Sequence, residues 1–212
     1  MSCRYPDARI LIFAKAPVVG TVKTRLIGTL SAQQAADIHH LMLDYTVNMA
    51  LASKLAPITL YCSPDTSNKV FQGYKHQGVE LRIQHGDDLG CRMASALTET
   101  LNDEKKAVLI GSDSPVMDGQ YLDAALMSLT KYETVIGPAE DGGYVLVGQN
   151  KINEQIFKNI NWGTADVLRQ TRQHLQDINI NWFELDTLWD VDRPDDLQRK
   201  EMRALMDNVS LD

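Results

Sequence analysis

The chain has 212 residues, of which 44% are hydrophobic and 23% charged, and its formal net charge is −7 at pH 7. This length and composition predict a globular protein with a full hydrophobic core, and we expect one domain across residues 1–212. The acidic balance argues against nucleic acid as a partner. No apolar run approaches the roughly 20 residues that span a bilayer, and the three scattered cysteines favour reduced thiols, so we expect a cytoplasmic protein.

Short apolar runs alternate with helical periodicities along the chain. Strands are predicted at residues 10–14, 58–62, 79–84, 107–111, 135–137, 144–148 and 180–185. Helices are predicted from a capping box at Ser31 and Gln34, at residues 67–77 and 89–101, after an Asp118 cap, from a Thr164 cap through residue 175, and from Pro194. The alternation predicts an α/β fold with three α/β/α layers around a mostly parallel sheet. The two strands flanking residues 141–143 lie too close for a helical crossover, so we expect a mixed sheet.

Charged residues are unevenly distributed. No acidic residue lies between Asp7 and Asp37, where four basic residues occur, whereas residues 184–196 contain six acidic residues and one basic residue. Such a pattern suits a phosphate-binding loop early in the chain and a cation-binding segment late in it. Two solvated surface segments would have the same composition, so charge alone leaves both interpretations open.

The loop after the first predicted strand carries Lys15, Lys23 and Arg25, with Pro17 and Gly20 to turn the backbone. In an open α/β sheet, ligands bind at the carboxyl ends of the strands, where this loop begins. Its three cations would neutralise a di- or triphosphate, and the alternative is a solvated basic loop. Neither a Walker loop nor a G-x-G-x-x-G dinucleotide motif is present.

Two aspartates are candidate ligands for a divalent cation. Asp113 follows the apolar run at residues 107–110 after Gly111 and Ser112, and Asp192 lies in the acidic segment. Mg²⁺ and Mn²⁺ prefer oxygen ligands, and Mg²⁺ commonly binds one or two carboxylates together with substrate phosphates. Each aspartate has a structural alternative as a helix N-cap, Asp113 before Pro115 and Asp192 before Pro194.

The segment at residues 137–144 is a candidate binding site for an acceptor. Gly142 and Gly143 permit close backbone approach to a ligand, and Glu140 or Asp141 would act on a hydroxyl as a base or hydrogen-bond acceptor. A plain hairpin turn is the alternative.

The predicted helix entrance at residues 86–93 is a further candidate, because backbone N–H groups at a helix start bind anions. Its alternative is simple capping by Asp87 or Asp88.

Taken in order, six segments resemble a bacterial glycosyltransferase-like family that has the nucleotide-diphospho-sugar transferase (GT-A) fold. That family is related to 2-phospho-lactate guanylyltransferase and molybdenum cofactor guanylyltransferase. The segments span nearly the whole chain: residues 13–26, 88–93, 110–115, 137–144, 162–164 and 190–197. The chain departs from related enzymes at two points. Ala14-Lys15-Ala16-Pro17 replaces a Gly-rich start, and Ser112-Asp113-Ser114 replaces a strict Asp-x-Asp.

The resemblance implies that Asp113 and Asp192 hold Mg²⁺ or Mn²⁺ and that Lys23 and Arg25 bind phosphate. Together with Asp141, these two basic residues are the predicted catalytic residues. The candidates for binding a nucleotide and its phosphates are Ala14, Lys15, Gly20, Lys23, Arg25, Gly90, Arg92 and Ser112. The candidates for binding the acceptor are Glu140, Asp141, Gly142, Gly143 and Tyr144.

We therefore expect a metal-dependent glycosyltransferase that takes a nucleotide sugar and a small-molecule acceptor. In the second interpretation the protein is a nucleotidyltransferase, in which Lys23 and Arg25 stabilise the α-phosphate of a nucleoside triphosphate and pyrophosphate leaves. The third interpretation is a nucleotide-binding module without turnover.

Overall fold

The computed structural model describes residues 3–207. A seven-stranded sheet crosses the molecule in the order β3-β2-β1-β4-β6-β5-β7. Its strands are β1 (Ala8–Lys15), β2 (Ile58–Ser63), β3 (Glu80–Ile83), β4 (Lys106–Ile110), β5 (Thr134–Pro138), β6 (Tyr144–Gln149) and β7 (Trp182–Glu184). The helices are α1 (Ala32–Ser53), α2 (Lys69–Lys75), α3 (Leu89–Leu101), α4 (Gly119–Ser128), α5 (Val167–Asp177) and α6 (Lys200–Asp207). Within residues 3–207, none of these helices is long and apolar enough to cross a membrane.

The sheet is mixed because one strand runs against its neighbours. β6 pairs antiparallel with both β4 and β5, whereas the other neighbouring pairs are parallel. The connection between β5 and β6, residues 139–143, is too short to contain a crossover helix, so these two strands form a hairpin. This arrangement confirms the predicted mixed, mostly parallel sheet.

Helices cover both faces of the sheet, and this explains why the strand sequences are almost continuously apolar. Side chains alternate across a strand, so Ile10 and Ile12 pack with α1, α2 and α4, while Leu11 and Phe13 pack with α3 and α5. Strand residues on both faces are thereby removed from water. The three predicted α/β/α layers are confirmed.

Local sequence signals set most helix starts. The Ser31 hydroxyl accepts a hydrogen bond from the Gln34 backbone N–H at 3.1 Å, and the Gln34 side chain accepts one from the Ser31 N–H at 2.9 Å. Asp118 caps α4 by accepting from the Tyr121 N–H at 2.8 Å. Asp88 caps α3 by accepting from the Cys91 N–H at 2.7 Å. Each side chain satisfies an N–H that has no partner within its helix.

Two predictions about helix starts differ from the structure, and one alternative is excluded. α5 begins three residues after Thr164, whose hydroxyl accepts from the Asp166 N–H at 3.3 Å in the preceding turn. Pro194 begins a short 3₁₀ helix, residues Pro194–Gln198, and α6 follows it as a separate helix. The residue that precedes Pro194 at the cap position is Arg193, so Asp192 is not the cap and its carboxylate is free for another role.

A third cluster of buried residues joins the C-terminal segment to the start of the chain. Leu26, Met42, Trp189, Val191 and Met202 belong to it and are at most 8% exposed. The cluster fastens the segment at residues 189–202 against α1 and the first loop. It therefore determines where the late acidic residues lie.

Candidate functional site

The sheet opens a crevice at the carboxyl ends of β1 and β4. β2 and β3 extend the sheet on one side of β1, whereas β4 lies on its other side. Because the chain order reverses between β1 and β4, the loops that leave them diverge, and open α/β sheets bind ligands at such a point. The predicted basic loop leaves β1 here, and Asp113 follows β4 here.

Lys23 brings an ammonium group from the β1 loop into this crevice. Its backbone has a φ of 48°, a left-handed conformation that non-glycine residues adopt only where the surroundings impose it. The side chain is 8% exposed, and Nζ lies 3.0 Å from Asp113 Oδ1. Nζ also donates to the Val191 carbonyl at 2.5 Å. An ion pair and a hydrogen bond to distant parts of the chain thus fix the ammonium group in place.

Asp113 is a partly exposed carboxylate with one buried oxygen. Its side chain is 42% exposed although Oδ1 is buried against Lys23. Burial by itself opposes ionisation, but the positive charge of Lys23 outweighs it and lowers the pKa of Asp113. Asp113 is therefore ionised at neutral pH and presents its remaining surface to the crevice.

The His39 side chain of α1 lies next to the Lys15 backbone and the Asp113 carboxylate. Its Nε2 lies 2.9 Å from the Lys15 carbonyl and must donate there, because a carbonyl only accepts. Burial lowers the pKa of His39, so the ring is neutral and Nδ1 carries no hydrogen. Nδ1 lies 3.9 Å from Asp113 Oδ1. The ring therefore positions the Lys15 backbone and borders the Asp113 carboxylate.

Two hydrogen bonds to backbone carbonyls hold the late acidic segment beside the crevice. The Val191 N–H donates to the Asp113 carbonyl at 2.9 Å. The Ser114 hydroxyl donates to the Trp189 carbonyl at 2.8 Å. As a result Asp192 reaches the crevice, where its carboxylate pairs with Arg25 at 2.5 Å.

Asp190, on the same segment, faces the surrounding carboxylates. Burial, followed by the nearby charges of Asp141 and Asp113, raises the pKa of Asp190 to about 6. Burial is the largest cause of this shift, the neighbouring aspartates add to it, and Lys23 partly offsets it.

These groups line one cavity of about 450 Å³, a volume within the usual range of small-ligand sites. Lysine, arginine and aspartate side chains therefore meet on one surface. The predicted site residues on its wall are Ala14, Lys15, Lys23, Arg25, Ser112, Asp113, Tyr144 and Asp192.

A second cavity of about 240 Å³ adjoins the first. The two share six lining residues, among them Asp190, Phe13 and Tyr144. Asp141 and Gly143, predicted as acceptor residues, line this second cavity only.

Other predicted acceptor residues have structural partners instead. Glu140 is exposed and forms an ion pair with Arg199 at 2.7 Å. Gly142, with a φ of +89°, packs so closely on Ala165 that a Cβ would lie 2.2 Å from the Ala165 carbonyl oxygen. The close approach expected for Gly142 therefore takes place with the protein's own backbone, and neither residue lines the two cavities.

Three predicted nucleotide-binding residues also lie outside both cavities. Gly90 is buried in α3, where a Cβ would lie 2.7 Å from the Phe157 carbonyl oxygen and from the Trp162 ring nitrogen. Arg92 uses its Nε to donate to the Gly86 carbonyl at 2.9 Å. Gly20 lies exposed at a turn with a φ of +80°. The structure thus brings together the lysines, Arg25 and the aspartates, but not these three.

Two residues that line the first cavity, Asp190 and His39, are not among the predicted site residues. Asp190 lies in the acidic segment two positions before Asp192, and in an extended segment this spacing places both side chains on the same side. The sequence therefore contains a signal for Asp190. It contains none for His39, because only the packing of α1 against the sheet determines whether His39 or His40 faces the cavity.

The carboxylates fit a divalent cation that a substrate helps to hold. Within residues 3–207, no three His, Cys, Asp or Glu side chains gather into a ready-made metal cage. Asp113, Asp190 and Asp192 nevertheless offer oxygen ligands on one cavity wall. One or two such carboxylates, with phosphate oxygens and water, complete a common Mg²⁺ shell.

Comparison with protein families gives one match. The profile of the family described as "Uncharacterized protein conserved in bacteria (DUF2064)" matches residues 46–164, which is more than half of the chain. Asp113 and the β5–β6 connection lie inside the matched range. No curated protein matches the chain.

Solved structures show where the fold occurs. A "putative nucleotide-diphospho-sugar transferase" from Desulfovibrio desulfuricans G20 is 29% identical, with 96% of this chain and 95% of that chain covered and a TM-score of 0.84. CMP:2-keto-3-deoxy-manno-octonic acid synthetase, solved with CTP, is 13% identical over 95% and 98% of the two chains, with a TM-score of 0.60. Rv0371C from Mycobacterium tuberculosis H37Rv, solved with manganese, is 14% identical over 96% and 99%, with a TM-score of 0.55. The predicted nucleotide-diphospho-sugar transferase fold is confirmed, and the last two similarities concern the fold alone.

Proposed function

The chain belongs to the DUF2064 family, and we propose that it is a metal-dependent transferase that moves a glycosyl group from a nucleotide sugar to a small-molecule acceptor. The main support for this proposal is the ion pair between Lys23 and Asp113. It is 3.0 Å long and lies where the strand order of the sheet reverses, between β1 and β4. Cationic and anionic side chains both line one cavity. The cationic side chains complement the phosphates of a nucleoside diphosphate, and the anionic side chains complement its divalent cation. The description of the Desulfovibrio desulfuricans relative supports the same class of reaction.

The β1 loop would bind the diphosphate. Lys15 and Arg25 are exposed at the cavity, and Lys23 stands behind them with its ammonium already fixed. The forked guanidinium of Arg25 matches two phosphate oxygens, and a phosphate that attracts it would release Asp192. Binding of the donor would thus free a carboxylate next to Asp113.

Asp113, with Asp192 or Asp190, would hold Mg²⁺ or Mn²⁺, which when bound stabilises the negative charge that develops on the leaving diphosphate. Lys23 keeps Asp113 ionised and oriented, because its ammonium contacts the buried oxygen and leaves the other side of the carboxylate open to the cavity.

The transfer itself needs a base near the acceptor. The acceptor oxygen would attack the anomeric carbon, the bond from that carbon to the diphosphate oxygen would break, and the nucleoside diphosphate would leave with the electron pair. We assign the hydroxyl proton to the Asp141 carboxylate, which lines the adjoining cavity. Glu140 is less suited, since Arg199 already holds its carboxylate.

Nucleotidyl transfer is the second candidate, and the number of cations favours it. Lys15, Lys23 and Arg25 of one loop line the cavity, and a triphosphate offers more negative charge for these three cations to balance than a diphosphate does. An acceptor oxygen would then attack the α-phosphorus, pyrophosphate would leave, and Lys23 and Arg25 would stabilise the transferred phosphate.

Product analysis separates these candidates. The protein is incubated with Mn²⁺ and a panel of nucleoside triphosphates and nucleotide sugars, and binding and released products are measured. Release of nucleoside diphosphate from a sugar donor supports glycosyl transfer, whereas pyrophosphate release from a triphosphate supports nucleotidyl transfer. Binding without turnover across acceptors supports a non-catalytic module, and absence of all binding contradicts every form of the proposal.

Asp113→Asn tests the assignment of the site. We expect nucleotide affinity in Mn²⁺ to fall at least tenfold, on the order of 1.4 kcal/mol or more, because the variant loses one anionic oxygen ligand. Asp118→Asn is the matched control, since asparagine caps a helix about as well as aspartate and Asp118 lies outside both cavities. Calorimetric titration and thermal unfolding are measured for both. Strong unfolding of Asp113→Asn with unchanged nucleotide affinity would make Asp113 a structural residue.

A further inference from the structure

The second cavity differs in chemistry from the first. Its walls are mostly apolar and come from α3, β4 and β6, with Met93, Leu109 and Val147 among them. The basic side chains of the β1 loop do not reach it. A ligand in this cavity therefore meets hydrocarbon rather than charge along most of its surface.

Aromatic rings form one side of this cavity. Tyr144 and Trp162 pack edge to face, with ring centroids 6.2 Å apart and planes at 84°. The Tyr144 hydroxyl is buried, so its ring rather than its hydroxyl faces the cavity. Such a wall offers flat apolar surface and few hydrogen bonds.

The polar groups lie toward the neighbouring cavity. Asp190 lines both cavities, and Asp141 lies on the β5–β6 connection beside it, close enough for their charges to interact. A bound molecule would thus place a polar end at these carboxylates and an apolar body against the rings. Apolar cavities of about 150 Å³ hold benzene, so about 240 Å³ has room for one substituted ring.

We infer that this cavity binds the acceptor, and that the acceptor is a hydroxyl compound with a compact apolar body about the size of one ring. The inference rests on the proposed function, because it treats the adjoining cavity as the donor site. A polyhydroxylated acceptor fits poorly, since most of its hydroxyls would face side chains that neither donate nor accept hydrogen bonds.

Cyclohexanol and myo-inositol provide a matched pair of probes, because they share a six-carbon ring and differ in the number of hydroxyl groups. Each is titrated calorimetrically into the full chain, with and without nucleoside diphosphate and Mn²⁺. We expect saturable binding of cyclohexanol with a negative heat-capacity change, and weaker or no binding of myo-inositol.

Leu89→Gln tests the location of this binding. Leu89 lines both cavities and is 45% exposed, so the variant should fold while it places a polar group on the cavity wall. We expect its affinity for cyclohexanol to fall roughly three- to tenfold. Met127→Gln is the matched control, because Met127 is 52% exposed on α4 and lies outside both cavities.

The outcomes also separate this inference from the proposed function. A fall in cyclohexanol affinity in Leu89→Gln, with no fall in Met127→Gln, supports the inference. Equal or tighter binding of myo-inositol, or unchanged cyclohexanol binding in Leu89→Gln, overturns it. If nucleotide binds but neither probe does, the inference is wrong while the proposed function stands. If nucleotide and probes all fail to bind, both are wrong.

Discussion

Gly142 shows how a single residue can hold two loops of the site together. Its φ of +89° is a conformation that side chains rarely adopt, and its backbone lies against Ala165 with no room for a Cβ. The Gly142 carbonyl accepts a hydrogen bond from the Leu168 N–H at 2.9 Å. The β5–β6 connection and the start of α5 are therefore joined by backbone contact, and this contact shapes one side of the second cavity.

The residue Gly20 gives a matched test of this close approach. Gly20 has a similar φ of +80°, but a Cβ there would meet nothing within 4 Å. Both Gly142→Ala and Gly20→Ala impose backbone strain, and only the former adds a steric clash. We expect Gly142→Ala to lower the free energy of unfolding by about 1–3 kcal/mol more than Gly20→Ala. Urea unfolding of the two variants measures the difference, and equal losses would show that the Ala165 contact relaxes freely.

At the scale of elements, a bidentate ion pair joins α5 to the edge strand β7. Arg172 donates to both carboxylate oxygens of Glu184, from Nε at 2.8 Å and from a terminal nitrogen at 2.6 Å. The Trp182 ring N–H donates to the same carboxylate at 3.0 Å. β7 has only three residues, so these side-chain bonds supplement a short ladder at the sheet edge.

This ion pair makes stability depend on pH. Hydrogen bonding from Arg172 lowers the pKa of Glu184, although burial opposes the shift. Because the folded pKa lies below the unfolded value, the stabilisation is complete at neutral pH and is lost as the pH falls from about 4.3 through the lowered pKa. Arg172 is 43% exposed, so solvent screening limits the contribution to about 1 kcal/mol.

Glu184→Gln isolates this contribution. We expect the variant to be about 1 kcal/mol less stable than the parent chain at pH 7, and the gap to shrink at pH 3. Glu201→Gln, at an exposed position on α6, is the control and should change the unfolding free energy little at either pH. A gap for Glu184→Gln that is as large at pH 3 as at pH 7 would contradict the assignment.

Across the whole molecule, the third core cluster links the C-terminal segment to the site. Met202 is fully buried against α1, and the same segment carries the carbonyls and carboxylates that meet Lys23 and Arg25. Loosening this cluster should therefore disturb the site without any contact to a ligand.

Met202→Ala tests this coupling against Leu122→Ala, a fully buried position on α4 in another core cluster. Each change should cost about 2–5 kcal/mol of unfolding free energy. At a temperature where both variants are folded, we expect weaker nucleotide binding and faster amide exchange at residues 189–192 in Met202→Ala only. Equal effects on binding would show that the segment is held independently of this cluster.

Local sequence patterns predicted an element correctly where the element depends only on residues that are close together in the chain. The capping box at Ser31, the Asp118 cap and the short connection at residues 139–143 each depend on neighbours in sequence, and each is confirmed. The Thr164 cap was wrong, because the Thr164 hydroxyl donates to the Asn161 carbonyl and accepts from the Asp166 N–H in the turn that precedes α5.

The sequence by itself determined the α/β architecture and the presence of Lys23 and Asp113 in the loops that follow β1 and β4, because buried strands need apolar runs and polar loops connect them to the next helix. Only the tertiary structure decided that Asp190 and Asp192 join them, that Asp192 pairs with Arg25, and that Gly90 packs on Trp162. These contacts connect residues far apart in the chain. Their positions depend on how α1 and the C-terminal segment pack, and no local pattern encodes the outcome of that packing.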